Sequence, residues 1–299
     1  MGEVKADTLV TFRNILFLTD FSEPSEAALP FATAVARAYG SKILAMHIVR
    51  PDPLLYSTPA AVGLVDELQE DKAKAEMERV TSNLAGLPHE TIIEWGTGIW
   101  PSVEQALKNY EIDLIVLGTH GRTGAEKLLL GSVAEEIFRL SPKPVLTIGP
   151  AVRNSAHHGA RFHNVLFATD FSKHSLAALP YALSLAQENQ ARLTLLNVIP
   201  ESKASHDRAM NETDGTTLLS KLNKLVPEEA SLWCQPEALV AKGDPATGIL
   251  DTAKGRGVDL IVLGVRGAAN HLGAATHLRR ATAHKVVAHA LCPVLTIRE

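Results

Sequence analysis

One stretch of this sequence occurs twice. Residues 12–22 read FRNILFLTDFS and residues 162–172 read FHNVLFATDFS, an offset of 150. DLIVLG recurs at 113–118 and 259–264, and PVLTI at 144–148 and 293–297. Three landmarks repeated in one order define two copies of a unit, roughly 13–149 and 163–298. A period this long is too large for a solenoid, whose repeats hold a few tens of residues. The copies are therefore whole domains, expected at 1–150 and 151–299. Between them lies GPAVRNSAHHGARFH, rich in Gly, Ser and His, as a linker would be. The 299 residues are enough for about two domains of roughly 150 each.

Within each copy, short apolar runs alternate with longer amphipathic segments. The first copy predicts strands at 14–19, 42–49, 90–95, 113–118 and 144–148, with helices at 24–39, 64–85, 101–110 and 132–141. The second predicts strands near 164–169, 192–198, 236–241, 259–264 and 293–297. Ser22 or Ser25 can cap the first helix, and Gly40 sits where a helix should stop. LIVLG is apolar on both faces, as a parallel strand covered by helices on both sides must be. The expected fold class is α/β: two repeated doubly wound domains, each a five-stranded, mostly parallel sheet with helices on both faces. With strand order 3-2-1-4-5, ligands bind beyond the C-terminal ends of strands one and four, where the order reverses.

Composition removes several classes of function. Hydrophobic residues are 46% and charged residues 21%, typical of a folded domain rather than a disordered one. The formal net charge is −4, so no basic face for nucleic acid is expected. The longest apolar runs are strand-sized, which argues against a membrane span. MGEVKADTLV lacks a basic flank followed by an apolar core, so no leader is expected and the cytoplasm is the expected location. Cys234 and Cys292 form no C-x-x-C pair. His271, His277, His284 and His289, with Cys292, do not fall at the i, i+4 spacing that puts ligands on one helix face; scattered surface histidines are the simpler reading.

The chemistry lies after strand four, where the first copy reads GTHGRTGAEKLLLGSVAEEI. Gly118 and Gly121 let the backbone turn sharply and approach a ligand. Gly131 and Ser132 open the next helix, where unpaired N–H groups and the helix dipole attract anions. His120 and Arg122 lie between, within reach of phosphate or ribose. The segment reads as a phosphate cradle, distinct from Walker A, which needs Gly-Lys-Ser/Thr, and from the dinucleotide fingerprint, which follows the first strand. The first strand ends instead at Asp20, whose carboxylate repels phosphate and suits the N–H and O–H donors of adenine or ribose. Loop punctuation for the glycines, and a cap or turn role for Asp20 and Asp170, are the competing readings.

TDFS after strand one, the His47-Ile48 pair ending strand two, GTHGRTG and GSVAE together resemble the universal stress protein family, over nearly the whole chain. The resemblance implies a tandem protein whose first domain binds ATP, or ADP or AMP, with magnesium as an accompanying ion. It puts Leu18 and Asp20 at the adenosine end and Ile48 against adenine through its backbone. Gly118, His120, Gly121 and Arg122 would hold ribose and phosphate, with Gly131, Ser132 and Val133 around the phosphates. It also implies a stress or regulatory role through an unidentified protein partner, an intrachain pseudo-dimer in which the two PVLTI strands pair and protect two edges, and allows a homodimer of the tandem chain. Slow ATP hydrolysis or nucleotidyl transfer, and a nucleotide-free adaptor, are the rival readings. No nucleophile–base constellation is apparent.

The second copy keeps Asp170, Gly264 and Gly267 but departs at the phosphate end. Aligned back from PVLTI, the Gly131-Ser132 positions fall on Arg280-Ala281; counted forward, they fall on His277-Leu278. Weak or absent triphosphate binding is expected there.

Overall fold

The computed structural model describes residues 10–51, 59–119, 130–152, 161–200, 208–266 and 282–299. The first half runs β1 (Asn14–Leu18), α1 (Glu23–Glu26), α2 (Leu29–Tyr39), β2 (Lys42–Val49), α3 (Pro59–Thr81), β3 (His89–Trp95), α4 (Ile99–Asn109), β4 (Leu114–Gly118), α5 (Ser132–Leu140) and β5 (Val145–Ile148). The second repeats it: β6 (Asn164–Ala168), α6 (Lys173–Leu176), α7 (Leu179–Asn189), β7 (Arg192–Ile199), α8 (Arg208–Asn223), β8 (Gln235–Lys242), α9 (Pro245–Gly255), β9 (Leu260–Val265), α10 (Thr282–His289) and β10 (Val294–Arg298). No helix among the described residues is long and apolar enough to cross a membrane.

All ten strands form one sheet, ordered β3-β2-β1-β4-β5-β10-β9-β6-β7-β8. Each half therefore has the expected 3-2-1-4-5 order, parallel throughout. The central strands are apolar on both faces because both faces are covered. Ile15 and Phe17 of β1 join one buried cluster, while Leu16 and Leu18 join the other. Each cluster includes residues of both halves, so the two helical layers run across the whole sheet.

The predicted helix 24–39 is two helices. Pro30 in the first turn of α2 has no N–H to donate, and its ring would collide with the carbonyl four residues back; the chain therefore breaks between Glu26 and Leu29. Pro180 repeats the break between α6 and α7. The predicted helix 64–85 begins earlier, at Pro59, and ends at Thr81, followed by a 3₁₀ turn over Ser82–Leu84.

The halves join through β5 and β10, which pair antiparallel with Leu146 opposite Leu295 and Thr147 opposite Val294. Thr147 Oγ1 donates to the Val294 carbonyl at 3.1 Å, and Thr296 Oγ1 to the Val145 carbonyl at 3.3 Å. On one face the join is sealed by Phe12, whose ring meets Tyr39 edge-on at 4.9 Å, and by Tyr39, bonded to Ser184 across the halves at 2.9 Å. On the other, the Arg298 guanidinium donates to the Phe138 and Arg139 carbonyls at the end of α5. A cation there satisfies orphan carbonyls and complements the helix dipole. Its counterpart in the first half is Gly149, where a Cβ would lie 3.6 Å from the Ala290 carbonyl oxygen.

Gly40 closes α2 in the left-handed conformation, φ 66°, but its counterpart closing α7 is Gln190, φ 52°. A side chain costs about 1 kcal/mol in that conformation. Gln190→Gly is therefore expected to raise stability by about 1 kcal/mol in urea unfolding. Cys234 and Cys292 are both buried. Burial pushes their thiols up, to about 11 and about 12 respectively, so neither is a thiolate at neutral pH. Neither thiol should react with iodoacetamide at pH 8 until the chain is unfolded.

Candidate functional site

The site begins with the turn that leaves β1. Thr19 extends the strand by donating its N–H to the Met46 carbonyl at 3.0 Å. Phe21 then takes a left-handed conformation, φ 64°, unfavourable for a bulky side chain. Local hydrogen bonds hold it there. The Phe21 N–H donates to Thr19 Oγ1 at 3.0 Å, and Asp20 Oδ1 accepts from the Ser22 N–H at 3.1 Å and the Ser22 hydroxyl at 2.5 Å. Ser22 in turn caps α1. The second half repeats the device with Thr169, Asp170, Phe171 (φ 61°) and Ser172. Burial pushes the Asp170 carboxyl up, but hydrogen bonds from Ser172 and Ser175 outweigh it and hold it below its ordinary value. Asp20 thus has the turn role that the sequence left open, and it also lines the cleft beside it.

The carbonyl of Thr19 accepts a hydrogen bond from His47 Nδ1 at 2.8 Å. A carbonyl can only accept, so Nδ1 carries the proton in this contact. The His47 ring lies on Phe21, with centroids 4.1 Å apart. Asn197 replaces it in the second half, donating Nδ2–H to the Thr169 carbonyl at 2.7 Å. Both residues tie the end of the second strand to the turn after the first, but only His47 adds an aromatic surface.

Gly118 has a packing role that the sequence did not show. A Cβ there would strike the Pro24 carbonyl oxygen and lie 2.9 Å from its carbon and 3.1 Å from Ser25 Cα. The missing side chain makes room for the first turn of α1. Gly264 does the same for α6, where a Cβ would meet the His174 carbonyl oxygen and Ser175 Cα, the latter at 2.6 Å. Thr119 follows Gly118, fully buried; its N–H donates to the Ile148 carbonyl at 2.8 Å, and its carbonyl accepts from the Gly131 N–H at 2.7 Å. That last bond pins the start of α5 beside the end of β4. It also engages the Gly131 amide, so an anion at this helix would meet the amides after it. Gly131 is the N-cap and makes no side-chain cap bond, while the first intrahelical bond is from Glu135 N–H to the Gly131 carbonyl at 2.8 Å. The N–H groups of Ser132, Val133 and Ala134 precede that bond and have no acceptor within the helix.

These elements enclose a cleft of about 890 Å³ at the C-terminal ends of β1, β2 and β4. Leu18, Asp20, Ile48, Gly118, Gly131, Ser132 and Val133 all line it. His120, Gly121 and Arg122 lie outside the described residues, as do Gly267, His277, Leu278, Arg280 and Ala281 of the second copy. Three lining residues, Gln69, Lys72 and Ala73, come from one face of α3. Their i, i+3, i+4 spacing was visible, but nothing in sequence placed that face over the strand ends. Among the described residues no group of three or more His, Cys, Asp or Glu could hold a metal. His284 is buried, His289 Nδ1 donates to the Lys285 carbonyl at 2.8 Å, and His271 lies outside the described residues.

Gly118→Ala and Gly264→Ala should each destabilise the protein by roughly 1–3 kcal/mol, since backbone rather than a movable side chain blocks the new methyl. Thermal unfolding checks this; an unchanged midpoint would show that the close approach to α1 or α6 is not required.

Sequence and structure comparisons bear on the same architecture. The profile of the universal stress protein family matches twice, at residues 11–149 and 161–298. Universal stress protein MJ0577 of Methanocaldococcus jannaschii is 27% identical over 166 residues, covering 46% of this chain and 96% of its own length. YxiE of Bacillus subtilis, also a universal stress protein, is 33% identical over 153 residues, covering 46% of this chain and 99% of its own. The crystal structure of a universal stress protein from Archaeoglobus fulgidus superposes with a TM-score of 0.72 at 23% identity, covering 97% of this chain and 98% of that one, and so shares the fold across both halves. By the double profile match and the repeated 3-2-1-4-5 sheet, this chain belongs to the universal stress protein family and carries two of its domains in tandem.

Proposed function

We propose that the first half is an adenine-nucleotide-binding module, with ATP as its ligand and ADP or AMP as shorter forms of it. The observation that carries this reading is the open start of α5. Its N-cap is a glycine without a side-chain cap bond, and its first free amides line the same cleft as Asp20 and Ile48. Amides at a helix N-terminus favour phosphate oxygens, and the Ser132 hydroxyl adds a donor. At the other end, Asp20 supplies a carboxylate and Ile48 a strand-end backbone, which suit the ribose and base. A chain with opposite chemistry at the two ends of one cleft fits a nucleotide lengthwise. Magnesium enters this reading only as the counter-ion of the phosphates.

The second half keeps the turn, with Asp170 and Gly264, but has no Gly-Ser at the corresponding helix start. We assign it no triphosphate site. The tandem then acts as a nucleotide-responsive regulatory unit: ligand at the β4–α5 connection favours one arrangement of the surrounding surface for a partner. This requires different affinities for the two arrangements.

Calorimetric titration with ATP tests the reading. One site per chain is expected. Gly131→Arg should weaken binding by tenfold or more, because a bulky side chain then overhangs the first-turn amides; Ser132→Ala should cost about two- to tenfold. Two equivalent sites, or full affinity in Gly131→Arg, would overturn the assignment.

A further inference from the structure

The α3 wall of the cleft holds a polar group that finds no partner among the described residues. Gln69 lines the cleft together with His47, Ile48, Lys72 and Ala73. Its Oε1 is fully buried and accepts no hydrogen bond among the described residues. An acceptor removed from water and left without a donor costs free energy, and native structures keep few of them. Such a group in a cleft is explained if a ligand supplies the donor.

The position of Gln69 says which part of a ligand that would be. α3 packs over β2 and β3, so Gln69 lies on the strand-two side of the cleft. The start of α5 lies on the strand-four side, at the other end. A nucleotide with phosphates at Ser132 and Val133 puts its base towards Ile48 and Gln69. A carboxamide presents an acceptor and a donor side by side, the pattern complementary to the amino group and adjacent ring nitrogen of adenine. Guanine carries a carbonyl where adenine carries the amine, and so opposes one acceptor with another.

We propose that Gln69 reads the base, its buried Oε1 accepting a hydrogen bond from the 6-amino group of a purine, so that the cleft selects 6-aminopurine nucleotides. The inference rests on the nucleotide reading above but can fail separately from it. The full chain is titrated with ATP, with GTP and with purine riboside triphosphate, which lacks only the 6-amino group. Wild-type protein should prefer ATP over both by about tenfold or more, because a site built around a hydrogen bond rejects the analogue that cannot make it. Gln69→Leu should remove the preference by lowering ATP affinity more than that of purine riboside triphosphate, which loses only the bond to its ring nitrogen. Gln69→Glu keeps an acceptor and should keep the preference for ATP over purine riboside triphosphate. Without nucleotide, Gln69→Leu should melt no lower than wild type, since it deletes an unpaired buried acceptor.

Equal loss for ATP and purine riboside triphosphate in Gln69→Leu, with a lowered melting point of the free protein, would make the amide a structural group and overturn the proposal. A wild type that binds ATP no better than either analogue would overturn it too, leaving the nucleotide assignment standing. A wild type that binds no triphosphate overturns both.

Discussion

Two strands of matching sequence, Val145–Ile148 and Val294–Arg298, meet antiparallel about Leu146 and Leu295. Each is the last strand of its half, apolar on both faces, and alone would leave a row of unpaired N–H and C=O groups beside a hydrophobic surface. Pairing them covers both rows at once and turns two five-stranded sheets into one of ten. Because the pair is nearly self-complementary, it imposes an approximate two-fold relation on everything attached. The helical layers therefore meet face to face, with Tyr39 against Ser184 on one side and Arg298 against the end of α5 on the other. The edges that remain, β3 and β8, carry Glu90, Glu94, Glu237 and Lys242, charges that discourage further pairing.

The cleft follows from how the chain leaves β1. A phenylalanine held at positive φ is expensive, and it persists because Thr19, Asp20 and Ser22 bond the turn on either side of it. The turn brings the start of α1 down onto the end of β4, which only a residue without a side chain accommodates at Gly118. With α1 seated there, the crevice between β1 and β4 is bounded, and the Thr119–Gly131 bond sets the next helix at its rim. The same turn exists in the second half, so the geometry of the strand ends is common to both copies. What separates them lies at the helix start and in the replacement of His47 by Asn197.

Much of this was legible in the sequence because repetition exposes it. PVLTI, DLIVLG and the paired TDFS segments marked six of the ten described strands, the apolar runs between them marked the other four, and the parallel βαβ connectivity followed from the general rules for such units. The grouping around one cleft was also foreseeable, for Asp20 and the Gly131-Ser132 pair from the strand-order reversal, and for Leu18, Ile48 and Val133 from the family resemblance. Other features depended on contacts that sequence spacing does not carry. Pro30 was visible, but its effect in splitting one amphipathic stretch into two helices was missed because the periodicity runs through the break. Gly118 was recognised, but one of its neighbours was not: the backbone of α1, distant in the chain, comes close to it. Gln69 was hidden because a polar residue on a charged helix looks solvated until the helix is placed.

The join between β5 and β10 also changes what each half must conserve. In a pair of separate subunits, association depends on dilution, and any change in one copy appears in the other. Here the linker holds the partners at a fixed high effective concentration, so the interface forms at any protein level. Each half is then inherited as a distinct position. Arg298 as the counterpart of Gly149, and Arg280-Ala281-Thr282 where the other copy, aligned back from PVLTI, has Gly131-Ser132-Val133, are differences no symmetric assembly could hold. One copy can change its helix start while the other keeps it, and that licence to specialise is what a tandem chain provides over a symmetric pair.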